Sequence, residues 1–186
     1  MTKLKLFLCV YVIAGLLSAC ATKVSSISKD AIRKLDAEEG YLLIAIDTDV
    51  DLKEIEIWGR KNIALTSNDL QAGSNYILIP LPAGDYSIHN IRLNRIYKFA
   101  DFEPDLWSFK VKKNVISYVG HLNMETFYRK WSVYSRIQLL NKSSVALEYL
   151  EQHFSTILSA RDVQYSGPGH DDFFAVVGAD KTAREQ

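Results

Sequence analysis

The chain has 186 residues, and its 22 basic and 22 acidic side chains give a formal net charge of zero at pH 7. This length is enough for one domain with a sizeable hydrophobic core. Nucleic-acid binding calls for a basic patch, and the composition indicates none, so we expect no nucleic-acid partner.

The N-terminal segment has the pattern of a secretory signal peptide. Lys3 and Lys5 precede an apolar run from Leu6 to Leu17. That run is about a dozen residues long, whereas a helix needs roughly 20 to cross a bilayer. It ends in Leu17-Ser18-Ala19-Cys20, which resembles the lipobox of bacterial lipoproteins. We therefore expect residues 1–19 to be a lipoprotein signal peptide that is removed.

The lipobox resemblance implies that Cys20 is acylated, palmitate included, and binds the membrane through its lipid. Several acyl chains hold a protein firmly, whereas one binds marginally. Ala21 stands where lipoproteins retained in the inner membrane of enteric bacteria typically have aspartate. The resemblance thus implies a cell-envelope protein in the outer membrane, facing the periplasm. Because Cys9 lies in the signal, the folded domain has no cysteine for a disulfide, a zinc site or a thiol nucleophile.

The lipidated cysteine and the polar residues after it, 20–39, predict a tether that lifts the domain off the membrane. From Gly40 the pattern changes to short β-type runs bounded by turn residues. Tyr41 to Ile46 is continuously apolar, which is typical of a strand buried on both faces. The segment Lys53 to Trp58 alternates, which places Ile55 and Ile57 on an inward face.

Further strands follow along the chain. Ile77, Ile79 and Leu81 share one face of a strand that ends in a turn at Pro82 to Asp85. Later alternating runs predict more strands, and their inward residues are Trp107, Phe109, Val111; Ile116, Tyr118, Gly120, Leu122; and Trp131, Val133, Ser135, Ile137, Leu139. About seven short strands at this spacing predict a β-sandwich over residues 40–160.

One helix is predicted at residues 143–160, with Leu147, Leu150 and Phe154 on its apolar face. The segment after it, 161–186, contains a Gly-Pro-Gly break and predicts a flexible tail. The fold class is therefore mainly β: a transthyretin-like or immunoglobulin-like sandwich with one C-terminal helix, preceded by a signal peptide.

The segment from Leu81 to Tyr86, followed by Phe109-x-Val111 and by Ile116 to Gly120, resembles a transthyretin-like (prealbumin-like) sandwich module. In such modules a Leu-Pro-x-Gly-x-Tyr turn joins two strands. The whole arrangement is similar to small lipoproteins of Gram-negative bacteria. The resemblance implies an interaction or accessory domain, and architecture alone does not decide function.

Two clusters offer oxygen or imidazole ligands. Asp47, Asp49 and Asp51 alternate as in calcium loops, but the glycine and glutamate of an EF-hand are replaced by Leu52 and Trp58. His170-Asp171-Asp172 could hold a metal or an acid–base pair, but it follows a Gly-Pro-Gly break. We expect both to be solvated turns, and we expect no metal, no cofactor and no catalytic residues.

Aromatic and arginine side chains concentrate at binding hot spots. The candidate binding surface consists of Tyr128, Arg129, Trp131, Tyr134 and Arg136. The loop from Phe99 to Leu106 is a second candidate, since loops on rigid sandwiches often carry recognition.

These observations predict a membrane-anchored, non-catalytic interaction or accessory module with an envelope protein as its partner. The alternative is a protein that binds glycan, peptidoglycan or a small ligand on an aromatic platform. A hydrolase with a triad formed only in the fold is a third, weaker possibility.

Overall fold

The computed structural model describes residues 21–184, and within them the protein is mainly β. Two mixed sheets pack face to face, and helices cover the outer face of one of them. The predicted signal peptide and the lipidated Cys20 lie outside the described residues.

Sheet A has six strands. Across the sheet they are β1 (Thr22–Val24), β4 (Ile63–Thr66), β3 (Glu54–Gly59) and β6 (Gly84–Arg92), with β7 (Lys98–Ala100) and β8 (Ser108–Val111) both on the far side of β6. β7 pairs with the end of β6 and β8 with its beginning. A short 3-10 helix, Ser67–Asp69, follows β4.

Sheet B has five strands. Across the sheet they are β10 (Ser132–Leu140), β9 (Ile116–Arg129), β2 (Glu39–Thr48) and β5 (Gly73–Pro82), and β11 (Val163–Tyr165) pairs with the first residues of β9. β2 runs parallel to β9 and antiparallel to β5. The helices are α1 (Pro104–Trp107), α2 (Ser143–His153), α3 (Ser155–Ala160) and α4 (Phe173–Arg184).

The main core lies between the sheets. Sheet B contributes alternate residues of its strands, because side chains two apart share one face of a strand. Sheet A contributes the inward faces of β3, β4, β6 and β8. As predicted, Ile55 and Ile57 lie in this core, and so do Ile77, Ile79 and Leu81 of β5. The main members are Leu42, Ile44, Ile46, Ile55, Ile57, Ile63, Leu65, Ile77, Ile79, Leu81, Ile88, Phe109, Val111, Leu122 and Met124.

A second core lies on the outer face of sheet B, under α2, α3 and α4. Its buried members are Tyr41, Leu43, Leu78, Ile116, Tyr118, Ala146, Leu150, Phe154, Ile157 and Phe174. Sheet B is therefore covered on both faces, by a sheet on one side and by helices on the other. This confirms the prediction that Tyr41 to Ile46 is buried on both faces, since each of these residues is at most 1% exposed.

The strands define two ends of the sandwich. At the tip end β2 ends at Thr48 and β3 begins at Glu54, whose partner on β6 is Arg92. At the base end β3 finishes at Gly59 and the turn around Asn114 leads from β8 to β9. β1 lies beside β4 with Thr22 opposite Ile63. Because Ile63 lies opposite Ile57 on β3, the described chain starts toward the base end.

The segment predicted to be a tether is fastened to both sheets. Thr22–Val24 form β1, and the Ile27 N–H donates to the Leu78 carbonyl of β5 at 2.9 Å. The Asp30 carboxylate accepts from the backbone N–H groups of Thr156 and Ile157, at the start of α3. The prediction of a free tether is therefore wrong for the described residues 21–39, because the backbone of this segment and the side chains of Ser26 and Asp30 bond to the folded domain.

The region predicted to be one helix and a flexible tail also differs from the structure. The predicted helix is divided at Phe154, which has a non-helical backbone and is buried. The predicted flexible tail over residues 161–186 contains β11 and α4. Phe174 of α4 is 8% exposed and belongs to the second core. The described part of this segment is ordered because its apolar side chains cover the outer face of sheet B.

A β-bulge in β9 was not visible in the sequence. Between two successive pairs with β2, one residue of β2, Ile44, lies opposite two of β9, Val119 and Gly120, and Gly120 has φ +125°. A bulge reverses the alternation of side chains. Tyr118 therefore lies in the second core and Leu122 in the main core, so the predicted shared face of Ile116, Tyr118, Gly120 and Leu122 is wrong.

Substitution of Gly120 tests the bulge. A Cβ at this position would lie 3.0 Å from Leu139 Cδ1 and 3.1 Å from the Leu140 carbonyl oxygen, whereas one at Gly73, with φ +109°, would meet nothing within 4 Å. Both changes strain a left-handed backbone, but only one also crowds a neighbouring strand. We expect Gly120→Ala to lower the free energy of unfolding by about 2–4 kcal/mol and Gly73→Ala by about 1 kcal/mol. Urea denaturation measures both, and equal losses would contradict the close approach of β10 to the bulge at Gly120.

Candidate functional site

The predicted binding surface lies on the hairpin formed by β9 and β10. Tyr128 and Arg129 are the last residues of β9, and Tyr134 and Arg136 belong to β10. The alternation predicted that Trp131 lies in a strand. The structure instead places it in the two-residue turn that follows Arg129. The fold therefore brings all five predicted residues together on one element.

This hairpin extends beyond the rest of sheet B. β2 ends at Thr48, opposite Met124, whereas β9 continues to Arg129. Five further residues at about 3.4 Å each make an arm about 17 Å long. The carboxylate of Asp49 accepts from the Thr126 backbone N–H at 2.9 and 3.0 Å. Past that contact, β9 has only β10 as a strand partner among the described residues.

The end of the arm exposes four large aromatic side chains, which we call the aromatic tip. Their exposed fractions are 49% for Phe127, 63% for Tyr128, 87% for Trp131 and 56% for Tyr134. Phe127 was not predicted as a site residue, but it lies directly opposite Tyr134 across the hairpin. Phe127 and Tyr134 share one face of the hairpin and Tyr128 lies on the other, so the tip exposes aromatic surface on both faces. Exposed apolar surface concentrated in this way is typical of interaction sites.

Cations lie beside these rings. The Arg129 guanidinium is 5.9 Å from the centre of the Tyr134 ring, and the Lys130 ammonium is 5.8 Å from that of Trp131. Arg136 instead forms an ion pair with Glu125 at 3.3 Å. Among the residues with described side chains, no carboxylate lies within ion-pair distance of Arg129 or Lys130. The tip therefore offers aromatic faces and two positive charges to a partner.

The second predicted candidate, the loop from Phe99 to Leu106, faces the inner side of β10. Together they line an open groove of about 820 Å³, which we call the edge groove. Phe102 lies against Trp107 in its wall, with ring centres 4.5 Å apart. This groove is a separate surface from the aromatic tip.

The three alternating aspartates have three different partners. Asp47 accepts from Ser74 Oγ at 2.7 Å and from Lys142 Nζ at 2.9 Å. Asp49 holds the hairpin arm, and Asp51 accepts from the Ala72 backbone N–H at 2.8 Å. Their carboxylates stabilise neighbouring loops, and no group of three or more potential metal ligands occurs among the residues with described side chains.

The other predicted cluster lies at the start of α4. Asp171 accepts from the Phe173 backbone N–H at 3.0 Å and from Ser143 Oγ of α2. It therefore caps α4 and joins it to α2. His170 is exposed and lies 3.3 Å from Asp172. These contacts account for the cluster as helix capping and local pairing.

A buried histidine was missed by the sequence analysis. The bulge at Gly120 places His121 on the same side of sheet B as Tyr118, although the predicted alternation separated them. His121 Nδ1 lies 2.7 Å from Tyr118 Oη and its Nε2 lies 3.4 Å from Tyr76 Oη. Since the Lys142 N–H donates to Tyr118 Oη, this hydroxyl can donate its own proton to Nδ1. These contacts fit a neutral ring that carries its proton on Nε2.

Burial controls the charges of this network. It lowers the pKa of His121 to about 4, and the positive charge of Lys142 acts in the same direction. Burial also raises the pKa of Tyr118 well above its usual value. For Asp47, burial alone would raise the pKa, but hydrogen bonds from Ser74 and Lys142 leave it below its usual value. A neutral histidine between two tyrosines joins sheet B to the start of α2.

No helix in the described part of the chain is long and apolar enough to cross a membrane. Comparison with protein-family models, with curated proteins and with solved structures finds no match to this chain.

The buried His121 predicts how stability depends on pH. The unfolded chain binds the proton near pH 6.5 but the folded protein only near pH 4. The folded state therefore loses stability as pH falls from about 6.5 to about 4, and His121 contributes about 3 kcal/mol to this loss. We expect His121→Gln to remove most of that slope. Urea denaturation between pH 4 and pH 7 measures it, and equal slopes in the two proteins would contradict a buried neutral ring.

Proposed function

We propose that this protein is a lipid-anchored, non-catalytic interaction module of the bacterial cell envelope, and that it holds an envelope protein through the aromatic tip. The observation that carries the proposal is the projecting hairpin arm with Phe127, Tyr128, Trp131 and Tyr134 exposed at its end. Large aromatic side chains dominate binding energy where they become buried in a partner. Leaving four of them in water at one place is unfavourable unless a partner covers them.

The direction of the strands supports a partner away from the anchoring membrane. If Cys20 carries the lipid, Ala21 alone separates it from β1, which begins at Thr22 toward the base end. The arm projects from the opposite, tip end. The domain would then lie close to the bilayer at its base, while the aromatic tip points into the space beyond it.

The strand order supports the transthyretin-like alternative for the sandwich. Immunoglobulin-type sheets are antiparallel, and their first two strands are neighbours in one sheet. Here β2, the first long strand, runs parallel to β9 and lies in a different sheet from β3. We propose a transthyretin-like arrangement, in agreement with the turn at Pro82. There the chain passes from sheet B to sheet A, and Tyr86 Oη donates to the Pro82 carbonyl at 2.8 Å.

A glycan, peptidoglycan or small-ligand binder is the second candidate. Sugar rings stack on exposed aromatic faces, and Trp131 offers the most exposed one. The two candidates differ in what the tip should bind. A glycan would change Trp131 fluorescence when it is added to the purified protein, whereas a protein partner would be recovered from cells.

The test is affinity capture of the full-length tagged protein after crosslinking in intact cells. We expect one specific envelope protein with the wild type. Recovery should fall roughly tenfold or more in Tyr128→Ala/Trp131→Ala, because two hot-spot side chains are removed. Both side chains are exposed, so the variant should fold normally.

Ile96→Ala is the matched control, because Ile96 is 83% exposed and lies outside the aromatic tip, in the loop between β6 and β7. We expect it to capture the partner as the wild type does. Cys20→Ala tests the anchor separately, since it should release the protein from the membrane fraction. Undiminished capture by the tip variant would contradict the proposal, and a response to a glycan panel without any captured protein would favour the second candidate.

A further inference from the structure

The outer edge of β10 has unpaired backbone groups. In β9, the Thr126 N–H and the Met124 carbonyl point toward the β2 side, where both bond to Asp49. Backbone groups of a strand point alternately to its two neighbours, so the partners of these residues on β10 point away from β9. The groups directed outward are therefore the N–H and C=O groups of Val133, Ser135, Ile137 and Leu139. No backbone partner for them occurs among the described residues.

The other long edges of the sandwich are each blocked over part of their length. Ile27 and Ser26 bond to Leu78 and so occupy the edge of β5. The Lys110 N–H of β8 donates to the Ser166 carbonyl at 3.1 Å, and β11 pairs with the first part of β9. β1 and β7 are only three residues long. Proteins usually protect an open edge because it can pair with another chain.

β10 lacks the sequence and backbone features that commonly protect an open strand edge. Its sequence, from Ser132 to Leu140, contains neither proline nor lysine, and its pairing with β9 has no bulge. Its one charged residue, Arg136, has its side chain ion-paired with Glu125 on the outer face of the hairpin. The strand therefore presents a regular edge of high β-propensity.

The edge groove lies directly beside this edge. Ser135 and Ile137 of β10 form one wall, and residues of the 98–107 segment form the other. Phe99, Phe102 and Trp107 supply apolar surface there, while Asp101 and Glu103 are exposed carboxylates in the lining with no ion pair among the residues with described side chains. Lys98 is the one lysine or arginine in the lining. The groove therefore fits an apolar side chain flanked by a basic one.

We propose that β10 and the edge groove bind an extended segment of a partner protein by β-strand addition. The segment pairs with the outward N–H and C=O groups of Val133, Ser135, Ile137 and Leu139. Its alternate side chains are apolar and enter the groove, and a lysine or arginine lies beside Asp101 and Glu103. Main-chain hydrogen bonds give affinity in this binding mode, and pockets for alternate side chains give specificity. This inference rests on the proposed interaction function and deepens it by naming how the partner is recognised.

The probe is a phage-displayed library of random dodecapeptides, selected on the purified full-length protein. We expect enrichment of peptides that alternate apolar residues and contain lysine or arginine. A fluorescent synthetic copy of the most enriched peptide then measures Kd by anisotropy. Ser135→Pro removes one outward N–H without removing a backbone hydrogen bond to β9. It also removes the contact of Ser135 Oγ with Thr126 Oγ1 at 3.3 Å. Ser135→Ala removes that contact alone and should leave peptide binding unchanged. Asp101→Lys/Glu103→Lys reverses the charge of the groove. We expect each variant to weaken binding at least tenfold.

Gln138→Ala is the matched control, because the Gln138 side chain is exposed on the opposite face of the same strand from the groove. It should bind as the wild type does. Absence of any enriched peptide, or full binding by a folded Ser135→Pro variant, would overturn the proposal. If Ser135→Pro does not fold, amide hydrogen exchange of the wild-type protein, with and without the peptide, tests the proposal. Bound peptide must slow exchange at Val133, Ser135, Ile137 and Leu139, and unchanged rates there would overturn it.

Failure of this inference is distinguishable from failure of the proposed function. The Tyr128→Ala/Trp131→Ala variant keeps the edge of β10, so it should bind the peptide normally while losing capture of the cellular partner. Capture that depends on the tip, with no peptide bound at β10, would reject strand addition and leave the interaction function in place.

Discussion

Burial of β2 on both of its faces is the constraint on which the rest of the structure depends. Tyr41 to Ile46 are at most 1% exposed, and burying each large apolar side chain contributes about 1.5–3 kcal/mol. One face requires sheet A as its cover, and the other requires α2, α3 and α4. The ordered C-terminal segment follows from the second requirement. The arm follows from the lengths of the two strands, because β9 continues five residues past Met124, the partner of Thr48 at the end of β2.

The sequence predicted the elements whose signal is local. The continuous apolar run of β2 and the alternation around Ile55 and Ile57 are confirmed, because the order of apolar and polar residues along a strand determines which of them are buried. The turn at Pro82 is also where predicted, although it joins two sheets and not two paired strands. Parallel pairing of β2 with β9 could not be predicted, since it depends on contacts between segments more than 70 residues apart.

The wrong predictions also concern features that depend on contacts between distant segments. The bulge at Gly120 changes which face His121 occupies, and a single glycine in a strand pattern does not say whether it forms a bulge. The tail was predicted to be flexible because Gly-Pro-Gly breaks it, yet Phe174 and β11 supply apolar surface and hydrogen bonds that sheet B lacks without them. The tether was predicted from polarity alone, whereas Asp30 and Ser26 use their polar groups to bond to α3 and β5.

The candidate site was more predictable than the topology around it. Aromatic and basic residues are concentrated between Tyr128 and Arg136, and the two-residue turn exposes them together. Phe127 could have been added from its position opposite Tyr134, had the register of the hairpin been known. The edge of β10 is different, because an unpaired strand edge exists only once all the neighbouring strands are placed.

The measurement that tests the account most directly is site-specific photocrosslinking in intact cells. A photoreactive phenylalanine derivative replaces Tyr128 in the aromatic tip or, in a second protein, Asp85 at the base end, whose side chain is 84% exposed. The account predicts a discrete crosslinked envelope protein from position 128 and none from position 85. An adduct from position 85 alone, or the same adducts from both, would contradict the claim that the hairpin arm holds the partner.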